Sequence, residues 1–250
     1  YFRFSTQAQS IIAVDSPPDT ENNHAFHVIG QLLNKNGLFV PQFLQIDLEQ
    51  GFFLLSDLGD RLYLPELSPV NVDQYYLKAI NAIIEIQQIS AEDTNIPPYD
   101  THKLQAELNL FTDWFINKHL DLKLNIKEEQ MIAKVFECLV DNAKEQEQAL
   151  VHRDFHSRNL MVCEANKLGI IDFQDAVIGP LSYDLVSLIK DCYIEWPETK
   201  VKQWTMLYHK KAVLTGLTQV SFADFFRQFE LMGIQRHLKV LGIFCRLNYR

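Results

Sequence analysis

The sequence predicts an α+β chain, with a small β-rich N-terminal region followed by a larger helical one. Three observations predict it. Four short runs in the first sixty positions, Tyr1–Phe4, Ser10–Asp15, Val40–Asp47 and Gly51–Ser56, alternate or are rich in β-branched and aromatic residues, as strands are. From Pro69 onward, apolar residues recur at helical spacing over long stretches. One stretch, Leu150–Tyr183, interrupts those helices with two short apolar runs around a polar turn, the pattern of a β-hairpin.

Composition narrows the function classes. With 250 residues, 47% of them hydrophobic, the chain can bury the core of one large domain or two lobes. The formal net charge is −9 and no Lys/Arg run forms a nucleic-acid footprint, so no nucleic-acid partner is expected. Cys138, Cys163, Cys192 and Cys245 are scattered without metal-ligand spacing, which reads as free thiols in a reducing cytoplasm. No apolar stretch reaches the roughly 18–20 residues of a membrane span, and Tyr1–Thr6 does not read as a signal peptide. No obligate protein partner is inferred.

The hairpin carries the chemistry. Its runs, Leu160–Cys163 and Leu168–Ile171, fold at Glu164–Lys167 and bring Asn159 beside Asp172, with Asp154 on the loop leading in. Three oxygen-bearing groups at one spot suit Mg²⁺, a hard cation that shares oxygen ligands with phosphates. Phosphoryl transfer needs these parts: an Asp to accept the proton of the attacking hydroxyl, and an Asn and a second Asp to hold Mg²⁺ against the phosphates. Protein kinases present them as H-R-D-x-x-x-x-N and D-F-G. Here His152-Arg153-Asp154 and Asn159 match the first motif at its spacing, and Asp172-Phe173-Gln174 matches the second except at its Gly. Asp154 is therefore the expected base, Asn159 and Asp172 the metal ligands, and His152 a brace of the loop. Gln174 replaces the residue that lets the kinase segment flip, so no mobile switch is expected there.

The stretches H-R-D-F-H-S-R-N, I-I-D-F-Q-D-A and G-P-L-S-Y-D-L resemble the aminoglycoside-phosphotransferase-like small-molecule kinases. Y-F-R-F, V-D-S-P-P, L-L-S-D-L-G-D and the run from Gly179 to Pro197 resemble the bacterial N-acetylmuramate/N-acetylglucosamine anomeric kinases of cell-wall sugar recycling, along nearly the whole chain. The resemblance implies a bilobal protein-kinase-like fold: residues 1–60 a β-rich nucleotide-binding lobe ending in a hinge, residues 61–250 a helical lobe with the catalytic loop and metal site. It implies ATP as donor, an amino sugar as acceptor and a cytoplasmic enzyme. It also implies that the family's first strand and phosphate-covering loop precede residue 1, and that the family continues past Arg250.

Taken in order, the elements fit that scheme with exceptions. On the second strand Asp15 stands where kinases place the phosphate-binding Lys, a feature the resembling sugar kinases share before Pro17-Pro18. Arg3 is then a candidate phosphate cation, and a residue of the missing loop is another. Glu21–Asn36 reads as a helix stopped at Gly37, with Glu21 in its first turn. Ser56–Asp60 resembles the interlobe linker, where Ser56 and Leu58 would meet the base; the alternative is an ordinary turn around Gly59. Helices are expected over Asn71–Ser90, Thr101–Leu120, Lys127–Gln148, Ser182–Tyr193, Val201–Thr215 and Phe222–Leu247. Glu107 either contacts the acceptor or is a surface or capping residue, and Trp114 beside it reads as core. Asp184 either supports the catalytic loop or caps its own helix. Asp175 either touches metal or substrate or closes an Asx-turn. Arg158 and Arg153 are candidates for the lactyl carboxylate of N-acetylmuramate, and His156 for a sugar hydroxyl. Two other readings stay open: a kinase of the same fold for an aminoglycoside or amino alcohol, and a non-catalytic nucleotide-binding pseudokinase.

Overall fold

A computed structural model describes residues 1–5, 10–91 and 94–249. In chain order the elements are β1 (Phe2–Ser5), β2 (Ser10–Asp15), α1 (Asn23–Lys35), β3 (Phe43–Asp47), β4 (Phe52–Ser56), the single turn α2 (Tyr63–Glu66) and α3 (Val72–Gln87). Then come α4 (Thr101–Leu110), a π-helical continuation Phe111–His119, α5 (Ile126–Glu145), β5 (Gln148–Val151), β6 (Leu160–Val162), β7 (Leu168–Ile170) and β8 (Val177–Pro180). Helices α6 (Tyr183–Ile189), α7 (Glu198–Leu214) and α8 (Phe222–Asn248) close the chain. The expected α+β class is what the chain adopts. Its contacts group it into two compact units, residues 1–96 with 152–176, and residues 97–151 with 177–250. That grouping does not follow the expected division after residue 60: the hairpin and α3 group with the N-terminal strands.

The first unit is built on a four-stranded antiparallel sheet of order β1-β2-β4-β3. Phe2 faces Ala13, Ile11 faces Ser56 and Asp47 faces Phe52. The polar turn joining β1 to β2 falls on residues outside those described. One face of the pleat buries Val14, Phe53 and Leu55, with Ile12, Phe26 and Phe43 against them. Helix α1 covers that face. It starts at Asn23, capped by the Asn22 side chain on the Ala25 N–H, so Glu21 precedes the helix rather than lying in its first turn. It ends in a Schellman motif: Leu38 N–H reaches Leu33 O, Gly37 N–H reaches Asn34 O, and Gly37 has φ +86°.

An aromatic cluster ties α1, the sheet and the hairpin together. Phe26 meets Phe43 and Phe53 edge-on and stacks flat on Phe173, with centroids 5.2 Å apart and planes at 12°. Gly30 makes room for it. A Cβ at Gly30 would lie 2.6 Å from the Phe43 ring and 2.9 Å from the Phe173 ring.

The hairpin forms as the sequence predicts, with Leu160 facing Ile170 and Val162 facing Leu168. Its turn puts Ala165 and Asn166 at φ 52° and 58°, the two positive values of a type I′ hairpin turn. Both outer edges are tied down: Val162 N–H donates to Arg61 O, and Ile170 N–H to Phe39 O.

In the second unit β5 and β8 pair antiparallel, and Pro98 adds a parallel bridge to Ile178. Helix α5 begins with a capping box in which Asn125 and Glu128 satisfy each other's backbone N–H groups. The expected single helix Thr101–Leu120 widens to a π-helix after Leu110. At that junction α8 comes against the backbone, since a Cβ on Gly242 would lie 2.3 Å from Leu110 C. Trp114, expected in the core, is half-buried, and Val135 on α5 is exposed. No helix among the described residues is long and apolar enough to cross a membrane.

Gly30→Ala is expected to overpack the Phe26/Phe43/Phe173 cluster and lower unfolding free energy by about 1–3 kcal/mol, read by urea denaturation. Adding Phe43→Leu, which removes the nearest ring, should recover part of the loss; no recovery would mean that the cluster does not set the cost.

Candidate active site

The loop before β6 is closed on its own backbone. The Asp154 carbonyl accepts from His156 N–H at 2.9 Å and from Asn159 Nδ2 at 3.1 Å, and His156 O accepts from Asn159 N–H at 2.9 Å. Asn159 uses its Nδ2 twice, donating to Asp172 Oδ2 at 3.0 Å as well. Ile171 N–H bonds to Asn159 O at 3.1 Å, which extends the hairpin by one rung and sets Asn159 beside Asp172. Asn159 and Asp172 are thus adjacent as the hairpin register requires, and Asp154 joins them through its backbone carbonyl.

Asp172 and Arg153 both have left-handed backbone, at φ 67° and 74°. Such conformations cost about 1–3 kcal/mol each and persist only where surrounding contacts enforce them. Phe173, fully buried in the aromatic cluster, is the anchor on one side of Asp172. On the other, Gln174 Nε2 donates to Asp172 Oδ1 at 2.9 Å.

His152 is buried in the loop. Its Nδ1 accepts from Asp154 N–H at 3.3 Å, which leaves Nε2 to donate to Ile171 O at 3.1 Å. Burial pushes the imidazole down to about 4, against the pull of the Asp154 and Asp172 charges and the Ile171 carbonyl. Neutral His152 therefore bridges the catalytic loop to the far strand of the hairpin.

Beside these residues lies a cavity of about 470 Å³. Ile12, Leu55, Met161 and Ile171 give it apolar walls, Ser56–Gly59 form one rim, and Asn159, Asp172 and Gln174 stand at the other end. Ser56 and Leu58, the residues expected to meet the base, line the cavity. Arg3 also lines it, but its guanidinium is already engaged. Its Nε lies 2.7 Å from Asp57 Oδ2, its Nη2 donates to Gly59 O at 3.0 Å, and its Nη1 pairs with Asp60. Asp57 also accepts from Ser10 Oγ at 2.7 Å and Gly59 N–H at 2.9 Å. Burial disfavours its charge, yet Ser10, Gly59 and Arg3 outweigh that and hold its carboxyl below the usual range. Arg3 fastens β1 to the rim, a role its expected reading as a phosphate cation did not include.

Other candidates fall elsewhere. Arg153 Nη1 lies 3.3 Å from Asp175 O and 3.7 Å from Asp175 Oδ1, so Asp175 is engaged with the loop rather than closing an Asx-turn. Arg158 is exposed and His156 half-buried on the same loop. Glu107 is neither a surface nor a capping residue: it is buried in the second unit, 3.1 Å from Lys239 Nζ and hydrogen-bonded by Tyr99. Lys239 also donates to Tyr183 at 3.1 Å. Asp184 is fully buried in the first turn of α6, whose cap position is Ser182, so it is not the cap. Sequence reasoning missed Gln174 as a partner of Asp172 and missed the Arg3–Asp57 pair. The first was noticed only as a departure from Gly. The second joins positions far apart in sequence, with no local signal.

Asn159 and Asp172 offer amide and carboxylate oxygens, the donors a hard divalent cation takes. Among the described residues no group of three or more His, Cys, Asp or Glu is placed to hold a metal. A pair that leaves most positions to phosphate and water fits Mg²⁺, which usually keeps few protein ligands.

The sequence model of the phosphotransferase enzyme family matches residues 1–217. The chain belongs to this family. As a phosphotransferase it is a small-molecule kinase, and its relatives agree. It is 42% identical to the N-acetylmuramate/N-acetylglucosamine kinase of Pseudomonas aeruginosa, an alignment covering 100% of this chain and 74% of that protein. It is 39% identical to the kinase of the same name from Neisseria meningitidis, over 100% of this chain and 75% of that one. Among solved structures, ADP-bound aminoglycoside phosphotransferase APH(2'')-Ib superposes with TM-score 0.60 at 16% identity, covering 93% of each chain. The ethanolamine kinase of Plasmodium vivax gives 0.64 at 12%, covering 92% of this chain and 68% of that one. These likenesses confirm the kinase-like fold of the phosphotransferase.

Two outcomes follow. The His152 ring, at about 4 when folded and 6.5 as the ordinary value, takes up a proton on unfolding between those limits. Its contribution is therefore fully present above about pH 6.5 and lost as pH falls toward 4, costing roughly 2 kcal/mol by about pH 5. Urea titrations at several pH values should show this slope, and His152→Gln should flatten it. Separately, Lys239→Met strands the Glu107 charge and is expected to cost about 3–5 kcal/mol, while the double change Lys239→Met with Glu107→Gln costs less. Additive losses would show that the two residues are not coupled.

Proposed function

We propose that this phosphotransferase moves the γ-phosphoryl group of ATP to the anomeric hydroxyl of N-acetylmuramate or N-acetylglucosamine, acting in the cytoplasm. The observation that carries the reading is the Asp154/Asn159/Asp172 set on one hairpin, in a chain about 40% identical along its length to kinases named for these sugars.

The base of the nucleotide occupies the apolar part of the cavity beside Ser56 and Leu58, with its phosphates toward Asn159 and Asp172. Asn159 and Asp172 would hold Mg²⁺, which would supply positive charge to offset that of the phosphates. Asp154 accepts the proton of the acceptor hydroxyl and orients it for in-line attack. Neutral His152 keeps the Asp154 backbone fixed through its N–H, and Asn159 fixes the carbonyl, so the base is placed before substrate arrives. Arg158, exposed on the same loop, is suited to pair with the lactyl carboxylate of N-acetylmuramate, and His156 to a sugar hydroxyl. With Arg3 bound to Asp57 and Asp60, charge on the phosphates would be met at the Asn159/Asp172 end of the cavity rather than from β1.

ADP release from Mg²⁺-ATP with a panel of sugars and aminoglycosides, run beside Asp154→Ala, tests the proposal. Turnover is expected on N-acetylmuramate or N-acetylglucosamine, falling about 10²–10⁴-fold in the variant while ATP binding is kept. Turnover on aminoglycosides alone would overturn the acceptor, and ATP binding without turnover on any acceptor would overturn the transfer.

A further inference from the structure

We propose that Gln174 is a positioning residue for the metal-binding carboxylate: it holds Asp172 in a metal-ready orientation before the cation binds. The proposal rests on the reading of Asp172 as a metal ligand and deepens it.

Asp172 has little else to fix it. It is an exposed residue on left-handed backbone, and an aspartate carboxylate turns readily about its terminal bond. Two amide N–H groups take its two oxygens from opposite sides, Asn159 at Oδ2 (3.0 Å) and Gln174 at Oδ1 (2.9 Å). Together they fix the plane of the carboxylate. Each carboxylate oxygen has two acceptor positions, so each keeps one for a cation while the amide stays in place. Both bonds are charge-assisted, which makes them stronger than neutral ones.

Gln174 points its donor at Asp172, so it acts through the carboxylate and not as a ligand. It is itself held on a short tether. Phe173, its neighbour, is fully buried and stacked on Phe26, and Ala176 N–H closes a turn onto Phe173 O at 3.1 Å. A residue two positions after the aspartate can reach back to it only while this turn is kept. Where a Gly would leave the segment free to rotate, the side chain here closes a ring from Asp172 through Phe173 to Gln174.

Outer contacts that orient a metal ligand are typically worth 10–100-fold in metal affinity. Gln174→Met keeps volume and removes the donor; Gln174→Ala removes both. Mn²⁺ binding to the protein with a non-hydrolysable ATP analogue, followed by electron paramagnetic resonance, reads the effect without turnover. Both variants should bind Mn²⁺ 10–100-fold more weakly with thermal midpoints near that of the parent. In kinetics the apparent metal constant should rise by the same factor, with kcat recovering at saturating metal. Unchanged Mn²⁺ affinity, or a raised KM for the acceptor alone, would overturn the role of Gln174 and leave the metal site standing. A parent protein that binds the nucleotide analogue but no Mn²⁺ would instead overturn the metal-site reading, and this proposal with it.

Discussion

The flat stack of Phe26 on Phe173 is the contact on which the site depends. Phe173 adjoins Asp172, the carboxylate proposed for the metal, and Phe26 belongs to the helix that covers the sheet. An offset aromatic pair is worth about 0.5–1.5 kcal/mol beyond the area it buries. Here it does more than add stability, because burial of the ring pins the backbone next to Asp172. The absence of a side chain at Gly30 is what allows helix, sheet and hairpin to share one cluster. Position of the helix and position of the carboxylate are therefore one variable.

The groups around the cavity all lie within a single compact unit, although the chain leaves that unit after Ile96 and rejoins it at His152. The hairpin is held at both edges by backbone hydrogen bonds that it donates to the Arg61 and Phe39 carbonyls, which are less easily lost to substitution than side-chain contacts. Buried, neutral His152 adds a third tie across the hairpin. The rim of the cavity is held differently, by charges: Arg3 spans Asp57, Asp60 and the Gly59 carbonyl. Salt should loosen the charged rim more than the hydrogen-bonded floor.

Much of this was legible in the sequence where the signal is local. The hairpin followed from two apolar runs around a polar turn, and its register alone brought Asn159 to Asp172. The cap at Asn22 moved Glu21 out of the helix, a displacement of two residues that periodicity does not resolve. Other features depend on partners far along the chain. Arg3 reads as a free cation until Asp57 is seen beside it. Glu107 reads as surface or substrate-facing until Lys239, on the last helix, is found to neutralise it. The π-helical widening after Leu110 carries no spacing signature, and the close approach of Gly242 at that junction joins positions far apart in sequence. Gln174 was visible only as something missing from a motif; its use appeared once its amide was seen on Asp172.

The left-handed backbone at Arg153 and Asp172 has a consequence for how this protein changes under selection. Glycine adopts that conformation without the steric penalty, so at either position it relieves strain. At Asp172 it would also delete the carboxylate, and at Arg153 the contact to Asp175. A library sorted for heat resistance alone would drift toward glycine at both places and so erode the chemistry it was meant to preserve. Asp172 thus marks the place where heat resistance and the proposed metal site pull in opposite directions.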